Sequence, residues 1–213
     1  MTSKLQMLAI GLAALLGATG ASGQDNIVKL GISAYTTHSH TNGVIGVGVP
    51  EGADAQTGNA TTLLLVFERK LGPNLGAELA LGLPPRIKAK ATGSVAFLGD
   101  EVLTSKFVAP TFFLNYHFGQ DGDTWRPYVG GGVNFTRFIN IRSKLAPDVA
   151  LGDSTGLAAQ AGIDFALNRR WSVFASLAAL QVKSKLVASG ATVLQSTIDF
   201  RPIVYSFGTA YHF

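Results

Sequence analysis

Residues 199–213, DFRPIVYSFGTAYHF, form the stretch that decides the fold. From Tyr205 onward, aromatic residues and one threonine alternate with small or polar residues, and this period of two is that of a β-strand. One aromatic face and one small or polar face are typical of a strand between lipid and the lumen of a transmembrane β-barrel. An uncovered last strand would leave an open edge, which pairing with the first strand removes. We therefore interpret this stretch as the closing strand of a barrel; the alternative is an edge strand of a soluble β-sandwich.

The end of this strand also resembles the C-terminal signal by which outer-membrane proteins are recognised for insertion. The residues of this expected assembly signal are Ser206, Gly208, Tyr211 and Phe213. The resemblance implies the outer-membrane assembly machinery as a partner.

The first 23 residues have the pattern of a cleaved secretory signal peptide. Lys4 precedes an apolar run from Met7 to about Ala18, and small residues follow, with cleavage expected after Ala21 or Gly23. The apolar run is too short to span a membrane as a helix. We expect an exported chain whose mature domain, residues 24–213, carries a formal charge reduced from +4 by the loss of Lys4.

The composition fits a membrane protein that crosses with strands. Only 14% of the residues are charged and 25 are glycine, yet no apolar run beyond the signal is long enough for a membrane helix. A closed barrel is the other spanning structure that satisfies its own backbone hydrogen bonds. The absence of cysteine excludes disulfides and thiolate chemistry, and the small positive charge gives no reason to expect nucleic acid as a partner.

Alternating patterns predict eight antiparallel strands, so the fold class is all-β, an eight-stranded transmembrane barrel. The expected strands are 26–36, 61–70, 75–83, 106–119, 126–141, about 155–166, 171–186 and 199–213. Short turns at 71–74, 119–125 and 168–170 alternate with long loops at 37–59, 84–105, 142–154 and 187–193. Outer-membrane barrels have short periplasmic turns and longer external loops, so both termini are expected in the periplasm. An inner aromatic girdle is predicted from Tyr116, Phe118, Trp125, Trp171, Tyr211 and Phe213.

Charges within apolar strands indicate which face looks inward. Glu78 lies among leucines at the opposite parity, which places it in the lumen. The same rule gives a polar floor toward the short-turn end, consisting of Glu68, Glu78, His117, Arg126, Asp164 and His212. Because buried charges need partners, we expect Glu78, with Glu68 beside it on the neighbouring strand, to meet Arg126 across the lumen or through the hydrogen-bond network.

Toward the long loops, the residues at inward-facing positions become apolar. The expected apolar lining consists of Leu64, Val66, Phe107, Phe138, Phe174, Ala178, Leu180, Val182, Phe200 and Val204. A water-filled pore would be polar along its whole length, so this change in character favours a small hydrophobic solute. The alternative is that these side chains simply fill a narrow interior.

Signals for chemistry are weak. His38 and His40 are spaced to bind a metal but more often lie in solvent, and the glycines of residues 43–52 match no phosphate-binding loop. We expect no metal and no cofactor. The inward acids and histidines could support acid–base catalysis. A plug of ion pairs and hydrogen bonds across the lumen, in which each buried charge has a partner, is the favoured interpretation, so the chain is not expected to be an enzyme.

Five segments resemble the OmpW family of small outer-membrane barrels, which includes the AlkL-type importers. They are GAEL at 76–79, PTFFLNYHFG at 110–119, RPYVGGGVNFTRF at 126–138, QAGIDFALNRRW at 160–171 and YSFGTAYHF at 205–213. The resemblance implies an outer-membrane channel for passive uptake of small hydrophobic molecules, with lateral release into the membrane lipid. Some relatives are receptors for bacteriocins or phage, so a structural or receptor barrel is the alternative. Ala80 and Ala178 are small at positions that can be bulky in relatives, which leaves the identity of a gate open.

Overall fold

The computed structural model describes residues 26–37, 40–41, 49–144, 148–189 and 193–213. The expected signal peptide and His38 lie outside these residues, as does the side chain of His40. The described regular structure is β-strand apart from a short 3-10 turn, Ala96–Leu98. Among the described residues, no helix has the length and apolar character needed to cross a membrane.

Eight strands close into an antiparallel barrel. They are β1 (Asn26–Thr36), β4 (Ala60–Lys70), β5 (Leu75–Gly82), β8 (Thr111–His117), β9 (Trp125–Ser143), β11 (Ser154–Ala166), β12 (Trp171–Leu180) and β15 (Ile203–His212). Each pairs with the next, and β15 pairs with β1, so the ladder has no open edge. The eight-stranded barrel predicted from the sequence is therefore confirmed.

The seam between β1 and β15 depends on two glycines. Gly31 lies opposite Gly208, and a Cβ atom at either position would run into the backbone of the facing strand. Asn26 and Phe213 exchange two backbone hydrogen bonds of 3.0 and 2.9 Å at the periplasmic end. Gly31 and Gly208, which have no Cβ atom, let the first and last strands approach closely enough to close the barrel.

Side chains alternate between the two faces as a barrel wall requires. We call the eight barrel strands staves. The outward face carries exposed apolar residues on every stave, among them Leu30, Leu63, Leu75, Phe112, Val133, Leu157, Leu177 and Phe207. Near the short turns, Trp171 packs on Tyr211 and Tyr116 packs edge-on against Phe118, with ring centroids 5.0 and 5.2 Å apart. This arrangement gives an apolar belt that ends in aromatic rings on the periplasmic side.

The regions expected to be long loops contain further strands, which corrects that part of the sequence interpretation. They are β2 (His40–Thr41), β3 (Ala53–Thr57), β6 (Arg86–Gly93), β7 (Leu103–Val108), β10 (Asp148–Leu151), β13 (Lys183–Ser189) and β14 (Val193–Asp199). β3, β6 and β7 extend the sheet from the outer half of β9, and β10, β13, β14 and β2 form a second small sheet. The barrel wall thus continues as β-structure beyond the eight staves.

Three expected strands are divided where proline or a bend interrupts the ladder. The strand expected at 106–119 divides at Ala109–Pro110, that at 171–186 at Gln181–Val182, and that at 199–213 begins only at Ile203, after Pro202. Proline has no N–H to donate, so it is tolerated only where pairing is interrupted. At the third break Arg201 has a φ of 36°, which turns the chain between β14 and β15.

One of these breaks opens the ladder between neighbouring staves. Pairing of β5 with β8 ends at Ala80 opposite Thr111, and pairing of β6 with β7 begins at Arg86 opposite Lys106. No backbone hydrogen bond joins residues 81–85 to residues 107–110, all of which are described. We call this interruption the wall gap; it contains Pro84, Pro85 and Pro110. By contrast, the break at Pro202 stays bridged, because Leu180 donates to the carbonyl of Pro202 and Phe200 donates to that of Val182.

Candidate functional site

The outer half of the lumen is an apolar cavity. Phe107, Phe138 and Phe200 pack on one another, with ring centroids 6.4 Å apart for the first pair and 5.5 Å for the second. Leu180 and Val182 complete the lining together with Ile87, Ala109, Pro202 and several hydroxyl groups. The cavity is narrow, with a volume of about 40 Å³. A solute in this cavity would replace water contacts by contacts with aromatic and aliphatic side chains.

A second cavity continues the lumen toward the middle of the barrel. Leu64, Val66, Phe174, Ala178 and Val204 line it, and Leu180 and Ala109 border both cavities. Its inner end is formed by Lys29, Glu78, Tyr128 and Gln160. The lining therefore changes from apolar to charged within one continuous lumen.

The charged end is organised around Lys29, on β1. Its side chain is 2% exposed, and its Nζ lies 2.9 Å from Glu68 Oε2, 3.6 Å from Asp164 Oδ1 and 3.7 Å from Glu78 Oε2. The rings of Tyr128 and Phe174 flank the same ammonium group, with centroids 4.9 and 5.5 Å away. Burial of a charge this deep is tolerated only with such partners.

Neutral side chains and a histidine contact further oxygens of these carboxylates. Asn115 and Gln160 donate to the two oxygens of Glu78, over 2.9 and 3.1 Å, and Gln160 also donates to Asn115 Oδ1. His117 Nε2 lies 2.6 Å from Glu68 Oε1, and its Nδ1 is 3.8 Å from Asp164 Oδ2. We call Lys29, Glu68, Glu78, His117 and Asp164 the Lys29 cluster. With side chains from β1, β4, β5, β8 and β11, it ties opposite walls of the barrel together across the lumen.

A polar vestibule lies on the periplasmic side of this cluster. His117 and Asp164 border it, together with the turns between staves and with Arg126 and His212. Arg126 donates to Asp121 and, over 2.8 Å, to the carbonyl oxygen of Pro73. Burial raises the pKa of Asp121, but the hydrogen bonds and charges of Lys70 and Arg126 outweigh it and hold that pKa below its ordinary value.

These contacts correct one expectation. The predicted pairing of Glu78 with Arg126 is wrong, because Arg126 lies at the vestibule, bound to Asp121 and Pro73, and the cation in contact with Glu78 is Lys29. Of the six residues predicted to form the polar floor, Glu68, Glu78, His117 and Asp164 are brought together. Arg126 and His212 lie apart from them in the vestibule, and His212 shares a 2.9 Å hydrogen bond with Ser172.

The ten residues predicted to line the apolar lumen all point into the barrel. Phe107, Phe138, Leu180, Val182 and Phe200 border the outer cavity, and Leu64, Val66, Phe174, Ala178 and Val204 border the middle one. Ser206, Gly208, Tyr211 and Phe213 lie on or directly after the closing strand, and their role in assembly stays a prediction.

Lys29 is the functional residue that sequence reasoning missed. It shares its parity with Ile27, Gly31 and Ser33, and a single charge in an apolar strand was the signal used to orient Glu78. Applied to β1, the same rule would have placed Lys29 inside the barrel. Among the described residues, no group of three or more acidic, histidine or cysteine side chains is arranged to hold a metal ion.

A closed eight-stranded wall with an apolar outer surface, a narrow lumen and short turns at one end defines a small β-barrel of the outer-membrane type. The model of the OmpW family matches residues 22–213, and the chain belongs to this family. The protein resides in the outer membrane.

Similar proteins agree with this assignment. Outer membrane protein W of Vibrio cholerae is 30% identical over 198 residues, which cover 89% of this chain and 88% of the relative. Outer membrane protein AlkL of Ectopseudomonas oleovorans is 25% identical, with 79% of this chain and 73% of the relative covered. The dibenzothiophene metabolism operon protein PahQ of Pseudomonas aeruginosa is 29% identical, covering 65% of this chain and 64% of the relative. The crystal structure of OprG from Pseudomonas aeruginosa superimposes with a TM-score of 0.82 at 25% identity, covering 91% of this chain and 98% of that chain.

Proposed function

We propose that the barrel admits small hydrophobic molecules from outside by passive diffusion and releases them sideways into the membrane. The observation that carries this proposal is the change in the lumen from an apolar lining to the Lys29 cluster. An apolar solute gains by leaving water for the outer cavity. An ion or sugar would lose its hydration there and find only a few hydroxyl groups in exchange.

The route out of the lumen follows from the same two features. The Lys29 cluster blocks straight passage to the periplasm, because an apolar solute would have to separate buried ion pairs. The wall gap adjoins both cavities through Ala109, and no ladder hydrogen bond has to break there. Lateral release through residues 81–85 and 107–110 is therefore an exit that breaks no backbone hydrogen bond between β5 and β8 or between β6 and β7.

The comparisons add support of a chemical kind. The name of one relative, the dibenzothiophene metabolism operon protein PahQ, associates it with the metabolism of dibenzothiophene, a sulfur-containing aromatic compound. We extend that chemistry to this chain as part of the proposal: its substrates are apolar aromatic or alkane-like molecules.

A structural or receptor barrel is the second candidate. The narrow outer cavity favours it, because an eight-stranded interior is just wide enough for side chains to fill. In that case the external strands, with the exposed Phe97 and Leu98 at the tip of the β6–β7 hairpin, would be the surface available to a bacteriocin or phage.

The two candidates are separated by uptake in cells that lack their own version of the protein. We expect the wild-type chain to raise the initial uptake rate of radiolabelled naphthalene and n-octane, and not that of glucose. Leu180→Glu and Val66→Lys place a charge in the apolar lumen and should abolish the gain. Phe97→Glu, which changes an exposed aromatic residue outside the lumen, is the matched control and should retain it.

All variants must first show a folded, heat-modifiable barrel in the outer membrane. Uptake that is independent of the protein, or that survives both lumen substitutions in folded variants, would rule out the hydrophobic channel and favour the receptor.

A further inference from the structure

Five basic side chains gather on the outward face of the sheet just beyond the apolar belt. They are Arg86 and Lys88 on β6, Lys106 on β7, and Arg137 and Arg142 on β9, and all five are exposed. We call them the outer basic cluster. Arg86 and Lys106 form the first cross-strand pair above the wall gap, and Thr104 lies opposite Arg142. The cluster thus spans three adjacent strands.

The position of this cluster along the membrane normal follows from the sequence of β9. Its outward positions from Trp125 to Phe135 carry apolar side chains or glycine, and Arg137 is the first charged residue after them. Ten residue steps of about 3.3 Å at a tilt of about 40° span roughly 25 Å, which is the height of the apolar band of such barrels. The outer basic cluster therefore begins at the level of the outer-leaflet headgroups.

Three of the cations line a surface cleft. Arg86, Lys106 and Arg142 border it together with Thr104, Ser105 and Asn140. Asn140 has a φ of 52°, and the register of β7 with β9 shifts between Thr104 and Lys106, so a bulge lies within the cleft. A concave site with guanidinium, ammonium and hydroxyl groups suits a phosphate, because its oxygens accept several charge-assisted hydrogen bonds at once.

The opposing charge is too small to neutralise the cluster. Glu101 pairs with Arg86 at 3.0 Å and with Lys88 at 3.2 Å. The hydrogen bond from Lys88 and the nearby cations hold the pKa of Glu101 below its ordinary value. Lys106, Arg137 and Arg142 form no ion pair with the part of the chain that the structure describes. Three cations thus remain available to an external anion.

We propose that the outer basic cluster binds phosphate groups of outer-leaflet lipid, with Arg86, Lys106 and Arg142 as the central ligands. The lipid is favoured over a free anion by position: the cleft lies directly above the apolar belt, where acyl chains can pack on the wall while their phosphorylated headgroup meets the cations. Arginine and lysine at a membrane surface attract anionic lipid in this way.

The test measures lipid binding by the folded barrel in a non-ionic detergent. The ligands are phosphorylated lipid A, the same lipid after dephosphorylation, and inorganic phosphate. The Lys106→Gln/Arg142→Gln variant removes two charges from the cleft. The Arg169→Gln/Arg170→Gln variant removes two exposed charges at the periplasmic turn and is the matched control.

We expect the cleft variant to bind phosphorylated lipid A about 30-fold more weakly than the wild type, given roughly a factor of five for each charge at a membrane surface. The affinity of the control variant for phosphorylated lipid A should change by less than about twofold. The wild-type barrel should bind dephosphorylated lipid A as weakly as the cleft variant binds the phosphorylated lipid. Lys106→Arg/Arg142→Lys, which conserves the charges, should retain binding and guards against a folding defect.

The proposal would be overturned if the cleft variant and the control bound phosphorylated lipid A with equal affinity. It would also be overturned if the wild-type barrel bound the dephosphorylated and the phosphorylated lipid equally. Inorganic phosphate that binds as tightly as the lipid would also overturn it, in favour of a free-anion site. None of these outcomes depends on uptake, so this inference and the proposed channel can fail separately.

Discussion

At the scale of single residues, Lys29 holds the electrostatic balance of the lumen. It contacts three carboxylates, of which Glu68 and Glu78 are buried and Asp164 is partly exposed at the vestibule, and Asn115, Gln160 and His117 complete the coordination of two of them. Removing one partner of a buried ion pair is costly because it leaves the other charge buried without compensation. Here one substitution would remove the ammonium partner of all three carboxylates.

We expect Lys29→Met to lower the free energy of unfolding by about 3–5 kcal/mol, the range for breaking a buried ion pair. Urea unfolding of the barrel in lipid vesicles measures the effect. Lys70→Met is the control, since Lys70 pairs with the half-exposed Asp121 at the rim, where an ion pair contributes about 0–1 kcal/mol.

A double-mutant cycle of Lys29→Met with Glu68→Gln checks the assignment. A coupling energy near zero, or an effect of Lys29→Met no larger than that of Lys70→Met, would contradict the role given to Lys29.

The alternation of residues predicted the inward face of four cluster members but not their partner. A period of two fixes the face of the sheet that a side chain occupies. It does not fix the height of one strand against another across the lumen. Glu78 and Arg126 share the inward face, yet Arg126 lies in the vestibule and Glu78 lies at Lys29. That difference depends on the register of β8 with β5 and with β9, which only the folded barrel shows.

At the scale of elements, the eight staves followed from sequence, and the strands beyond them did not. β6 carries a clear alternation, with Arg86, Lys88 and Lys90 outward and Ile87, Ala89 and Ala91 buried. The sequence interpretation places this segment in the long loop at 84–105. Pro84 and Pro85 follow β5 and Pro110 precedes β8, and the wall gap lies between β5 and β8 at these prolines.

Closing the wall gap should stop uptake if solutes leave through it. The chain has no cysteine, so Gly82→Cys/Ala109→Cys can be bridged selectively by a short bismaleimide. Both positions border the middle cavity beside the gap. We expect the bridged barrel to lose the protein-dependent uptake of naphthalene while the unbridged variant retains it.

The control bridges Leu79→Cys with Phe112→Cys, which are cross-strand partners on the ladder below the gap. That ladder is already closed, so the control bridge should leave uptake unchanged. Full uptake with a bridged gap would place the exit elsewhere.

At the scale of the whole molecule, the barrel is polarised along its axis. The periplasmic end has aromatic rings outside and the vestibule and Lys29 cluster inside. The external end has the outer basic cluster outside and the apolar cavity inside. One orientation in the membrane satisfies both ends, and it is the orientation that the short turns indicate.

Closure of the whole barrel brings the last residue next to the first strand. Phe213 exchanges backbone hydrogen bonds with Asn26, and its ring stacks on that of Tyr211 with centroids 6.1 Å apart. Deleting Phe213 therefore removes both a seam contact and the terminal aromatic group of the predicted assembly signal. We expect the deletion to reduce the amount of heat-modifiable protein in the outer membrane strongly.

Two further variants separate the loss of the backbone bonds between β1 and β15 from the loss of the assembly signal. Phe213→Ala keeps the backbone bonds and removes only the ring, whereas Phe207→Ala removes an exposed, lipid-facing ring of the same strand away from the terminus. If the assembly machinery reads the terminal aromatic group, Phe213→Ala should resemble the deletion in cells, Phe207→Ala should resemble the wild type, and all three variants should still fold in lipid vesicles in vitro. Normal outer-membrane levels of the deletion variant would contradict the signal, and failure of Phe213→Ala to fold in vesicles would show that the ring stabilises the barrel itself.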